Sequence, residues 1–93
     1  MLQGEPNTME GPATTSWTRL YVTNRRGDKS FARQITFTCT DAANDLWVSF
    51  DGGATKVVVR HLGESLVVPG PVKSFSVRAS AATAAWSAAL SVA

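Results

Sequence analysis

From Ser16 onward, apolar and polar residues alternate at every second position, the period of a half-buried strand. Residues 19–23 form the first such run, and Arg25, Arg26, Gly27 and Asp28 break it. Ile35, Phe37 and Cys39 then alternate with Gln34, Thr36, Thr38 and Thr40, which predicts a strand with one apolar and one hydroxyl-rich face. Leu46, Val48 and Phe50 share one side of the next strand and leave Trp47 and Ser49 on the other. Asp51, Gly52 and Gly53 suit the positive φ of a tight hairpin, with residues 56–60 as its return strand. Leu62, Gly63 and Glu64 predict a second turn, residues 65–68 a short strand, and Pro69, Gly70 and Pro71 a third turn. Lys73, Phe75, Val77 and Ala79 then alternate with Ser74, Ser76 and Arg78.

The closing segment sets two signals against each other. Its many alanines favour a helix by intrinsic propensity. Ala84, Trp86, Ala88, Leu90 and Val92 nevertheless fall on one side at period two, and a strand agrees with the rest of the chain. Seven short strands separated by Gly, Pro and Asp predict a single all-β domain over residues 16–93, an antiparallel β-sandwich of jelly-roll or Ig-like type. Residues 1–15 contain Gly4, Pro6, Gly11 and Pro12 and show no period, so they read as an extended N-terminal arm, either a loose terminus or a segment that orders on a neighbouring subunit. Deleting that arm is expected to leave the fold intact and to weaken assembly.

Composition narrows the chemistry. A chain of 93 residues with 44% hydrophobic and 17% charged residues supports one thin core. The net charge of +2 comes from Lys and Arg scattered along the sequence, with Arg25–Arg26 the only cluster, so no basic face and no nucleic acid is expected. No apolar run reaches the ~18 residues of a membrane span, and no signal-peptide core follows Met1. The single cysteine, Cys39, excludes an intrachain disulfide and reads as a buried thiol. With one histidine, His61, a zinc site would need mostly carboxylates. Asp41, Asn44 and Asp45 have the oxygens for calcium, but they are also ordinary turn formers. No phosphate-binding, zincin or nucleophile-elbow motif is present, so no catalytic residue, metal or cofactor is assigned.

Trp47 carries more information. A large aromatic on the outward side of a strand gives much burial for little entropy, which suits an interface, a cover from its own chain, or stacking on a sugar. Trp17 is placed to cover a sheet edge or a neighbouring subunit. Arg26-Gly27-Asp28 spells an integrin-type tripeptide that is also a good turn. The interface candidates are Trp17, Trp47, Arg25, Arg26 and Met9.

From Gln34 onward the wording of strands and turns, ITFTCTDAANDLWVSFDGG followed by HLGESLVVPGPVKSFSVRASAATAAWSAAL, resembles the small β-sandwich accessory proteins of tailed-phage virions. Capsid decoration (cement) proteins are the nearest type. The resemblance implies a homo-oligomer, a trimer for choice, seated on the major capsid protein lattice of a particle assembled in the host cytoplasm. Tail, neck or baseplate proteins of the same fold, and a carbohydrate- or cell-surface-binding module, are the alternatives.

Overall fold

The computed structural model describes residues 5–93. Its eight strands are β1 (Glu5–Ala13), β2 (Thr18–Tyr21), β3 (Ala32–Cys39), β4 (Leu46–Ser49), β5 (Val57–Val59), β6 (Ser65–Val72), β7 (Ser74–Ala79) and β8 (Ala84–Val92). They form two four-stranded sheets, β1-β8-β3-β6 and β2-β7-β4-β5, and every pairing is antiparallel. The chain is an all-β sandwich, and this strand order over two sheets is the double Greek key of a jelly roll.

The core lies between the sheets and is assembled by period-two alternation. On β8, Ala84, Trp86, Ala88, Leu90 and Val92 are all buried, so pattern prevails over helix propensity in the alanine-rich segment. Phe37 and Phe75 meet edge to face at 5.0 Å between ring centroids, and Phe75 meets Trp86 in the same way at 6.4 Å. Phe50 does point to the core side, with its ring edge-on to Phe37 at 6.4 Å, but it stands at the rim and is 43% exposed. Cys39 is buried, and its thiol donates to the Asn44 carbonyl.

Two expectations are corrected. The segment read as an arm is, from Glu5 to Ala13, strand β1, paired along its whole length with β8; residues 1–4 of it lie outside the described residues. Its alternation is hidden because Asn7 and Gly11 share the inward parity with Met9 and Ala13, while Pro6, Thr8, Glu10 and Pro12 are exposed. Both prolines have the parity whose nitrogens face the open edge, where no ladder donor is needed. The Thr8 N–H, on the same edge, donates to Asn7 Oδ1 at 2.9 Å.

Pro69, Gly70 and Pro71 do not turn the chain either. They lie within β6, the opposite edge of the same sheet, where the same rule admits proline. Gly70 crosses the bulge between Ala32 and Gln34 so closely that an added Cβ would overlap the Ala32 carbonyl oxygen. Because the obstacle is backbone, Gly70→Ala is expected to destabilise the fold by at least about 1–3 kcal/mol, read as a lowered midpoint in denaturant.

Candidate functional site

The outward positions of the second sheet come from four separate stretches of sequence. Register sets Trp47 on β4 beside Arg78 on β7 and Val58 on β5. Arg19 and Tyr21 on β2 stand opposite Ser76 and Ser74 of β7. Trp17 precedes β2 on the same side, and Lys56 enters β5 from it. Period two is the whole reason these side chains share a face: Phe75, Val77 and Ala79 turn inward, so Ser74, Ser76 and Arg78 must turn outward.

A row of alternating aromatic and cationic groups crosses this face. The Arg78 guanidinium carbon is 5.9 Å from the centre of the Trp17 ring and 4.5 Å from that of Trp47. Lys56 Nζ is 3.5 Å from the centre of Trp47, and Lys29 Nζ is 5.0 Å from that of Tyr21. Such contacts contribute about 0.5–1 kcal/mol each at exposed sites, and they hold extended side chains flat on the sheet. Among the described residues the only ion pair within 4.0 Å is His61 with Asp45, so Arg19, Lys56 and Arg78 have no carboxylate partner at that distance.

The 50–56 loop folds back over the same face. Ser49 is buried beneath it despite its outward parity, because its hydroxyl donates to Asp51 Oδ1 (2.7 Å) and accepts from the Gly53 N–H (2.8 Å). Asp51 also accepts the Thr55 hydroxyl (2.6 Å) and the Thr55 N–H (2.9 Å). The connection is therefore a side-chain-organised loop and not the tight hairpin expected. Gly53, at φ 99°, lies under the Trp17 indole, where an added Cβ would come within 2.7 Å of Trp17 Nε1.

These hydrogen bonds, led by the Thr55 and Ser49 hydroxyls, hold the Asp51 carboxyl down to about 2. A depressed folded-state pKa stabilises above the unfolded value near 3.8, and that contribution disappears as pH falls toward 2. The loop is expected to stay ordered to about pH 4 and to loosen between about pH 4 and 2, with Trp17 fluorescence as the reporter. Asp51→Asn should remove that step.

The interface candidates thus divide. Trp17 and Trp47 stand in one row, each half-buried under groups of its own chain. Arg25 and Arg26 sit elsewhere, on an exposed turn closed by the Thr23–Lys29 bridge. Asn24 Oδ1 accepts the Arg26 and Asp28 N–H groups, and Arg25 Nε donates to the Pro6 carbonyl at 3.4 Å. Met9 turns inward against the core from β1, which replaces its expected interface position.

The oxygens weighed for calcium are committed to the fold. Asp41 accepts the N–H groups of Ala43, Asn44 and Ala85, led by Asn44, and these hold its carboxyl below the usual range. Asp45 Oδ1 accepts the His61 N–H at 2.9 Å and lies 2.7 Å from His61 Nδ1, and that pairing lowers the Asp45 carboxyl likewise. No group of three or more His, Cys, Asp or Glu side chains positioned for a metal occurs among the described residues.

Sequence reading missed Arg19, Tyr21, Lys56 and Arg78, and the expectation of no basic face is corrected. Parity alone would have turned each of them outward; only strand pairing reveals that they meet. The outer face of the first sheet is of opposite character, with Thr36, Thr38, Ser65, Ser87 and Ala89 across it and Glu10 at its β1 edge. Compared with protein families, with curated proteins and with solved structures, the chain matches none.

Proposed function

We propose that this chain is a non-enzymatic structural protein of a tailed-phage particle, of the capsid-decoration type, that docks on an acidic surface of the shell by the outer face of its second sheet. One observation carries the reading: Arg19, Lys56 and Arg78 are gathered with Trp17, Tyr21 and Trp47 on one face and, among the described residues, have no carboxylate within ion-pair distance. Desolvated aromatics and unpaired cations are what a protein interface with an acidic partner uses, the former for affinity and the latter for register and encounter rate. The particle setting rests on the resemblance of residues 34–93, and jelly rolls do serve as viral capsid domains, although a fold alone does not assign a function. A sugar-stacking role for Trp47 is less favoured, since Lys56 already lies 3.5 Å over its ring.

The test is a particle made without the protein. It should assemble, lack this chain by mass spectrometry, and release its genome at a lower temperature than the complete particle. Absence of the chain from complete particles would refute the reading.

A further inference from the structure

The two ends of the sandwich differ in charge and in relief. At one end lie the 40–45 and 60–64 loops, with Asp41, Asp45 and Glu64 as carboxylates, Arg60 as the cation, and His61 against Asp45. Leu62 projects from this end and is 75% exposed, the most exposed large hydrophobic side chain described. It is presented by fixed backbone: the Leu62 N–H donates to the Asp41 carbonyl (2.9 Å) and the Gly63 N–H to the Cys39 carbonyl (2.8 Å). The positive φ angles, 65° at Leu62 and 89° at Gly63, turn the side chain away from the sandwich.

The other end is its complement. Three adjoining grooves of about 410, 390 and 310 Å³ meet at Lys73. Their walls include Phe31, Pro71, Val22 and Tyr21, their cations are Lys29, Arg33 and Lys73, and among the described residues no carboxylate lines any of them. Asp28 and Asp51 lie at that end, as does Glu5 at the start of β1 opposite Val92, with Arg25 and Arg26 beside Asp28. Strand register places the two ends at opposite limits of the molecule, since Ala32, Val72 and Val92 adjoin the grooves while Thr38 and Ser65 adjoin the acidic loops. Nine-residue strands rise about 30 Å, so the 40 Å dimension runs along them.

The geometry points to a head-to-tail contact between copies of this chain, in which Leu62 and the acidic loops of its end seat in the groove around Lys73 of the next copy. It shares Tyr21 and Lys29, at the rim of the groove, with the edge of the docking face of the second sheet, and leaves Trp47, Lys56 and Arg78 at the centre of that face open on every copy. The contact is heterologous, with different patches on its two sides, so without closure it repeats into a row. An end measuring 24 × 21 Å offers on the order of 500 Å² per copy, at the low end for specific association. The contact is therefore weak in solution.

Sedimentation of the full chain at low ionic strength tests it, at roughly 0.1–1 mM, where a contact of that size is populated. The average mass of the wild type should rise with concentration past twice 9.9 kDa, and should fall back when salt shortens the Debye length. Leu62→Ser blocks the projecting side and Lys73→Glu the groove; each alone should remain near 9.9 kDa. Mixed in equal parts, they should pair and stop at about twice that mass, because one retains a working groove and the other a working projection. Both sites are exposed, and an unchanged circular dichroism spectrum with Lys73→Arg restoring association separates contact from folding. A wild type that stays monomeric, variants that associate as the wild type does, or a mixture that does not pair would each overturn the assignment.

Discussion

Removing residues 1–13 is expected to abolish the cooperative unfolding transition and the near-ultraviolet signal of the folded state. Strand β1 pairs nine residues with β8, and without it an interior strand becomes a nine-residue open edge. Met9 and Ala13 leave the core, and the Asn7 side chain no longer donates to the Thr23 carbonyl. Burial of one Met-sized side chain is worth about 1.5–3 kcal/mol and a hydrogen bond about 0.5–1.5, against a total of only ~5–15 kcal/mol for a domain of this size. The ladder itself comes on top. A peptide of residues 1–13 supplied in trans should restore the transition by adding its strand to β8. If the shortened chain melts within a few degrees of the full one, β1 is dispensable and the sheet order described here is wrong.

Trp86→Ala should cost about 3–5 kcal/mol, because the indole fills the space between β1, β3 and β7 and the cavity left by its removal has nothing to close it. Trp86 is 4% exposed, pairs with Gly11 and Cys39 in register, and meets Phe75 edge to face. For a domain of this length the loss corresponds to a melting temperature lower by at least about 12 °C. Trp86→Phe should cost much less. The indole Nε1–H is buried without an acceptor, and deleting an orphaned donor recovers part of its ~1–3 kcal/mol desolvation cost. A Trp86→Ala midpoint within about 2 °C of the wild type would show that the residue does not carry the core.

Strand β8 was legible because every inward residue is apolar and every outward one is Ser or Ala, so parity survived the helix propensity of its alanines. Strand β1 was not, because two of its inward positions are Asn7 and Gly11, whose packing role appears only once β8 is beside them. Proline and glycine at residues 69–71 are good turn formers, and what makes them a strand is their place on an edge, a tertiary fact. The site was half legible. Trp17 and Trp47 stood out as large aromatics, whereas Arg19, Lys56 and Arg78 are distant in sequence and become a charged face only through the β2-β7-β4-β5 pairing. The burial of Ser49 follows from a loop folded over it, which no periodicity encodes.

Shells lacking this protein, titrated with the purified chain at increasing salt, test the docking face most directly. Arg78→Glu combined with Lys56→Glu is expected to weaken binding by at least about tenfold and to flatten its salt dependence. Thr36→Glu with Ser87→Glu, on the opposite sheet, should bind as the wild type does. Undiminished binding by the first variant, or a comparable loss in the second, would contradict the assignment of the basic, aromatic face as the one that meets the partner.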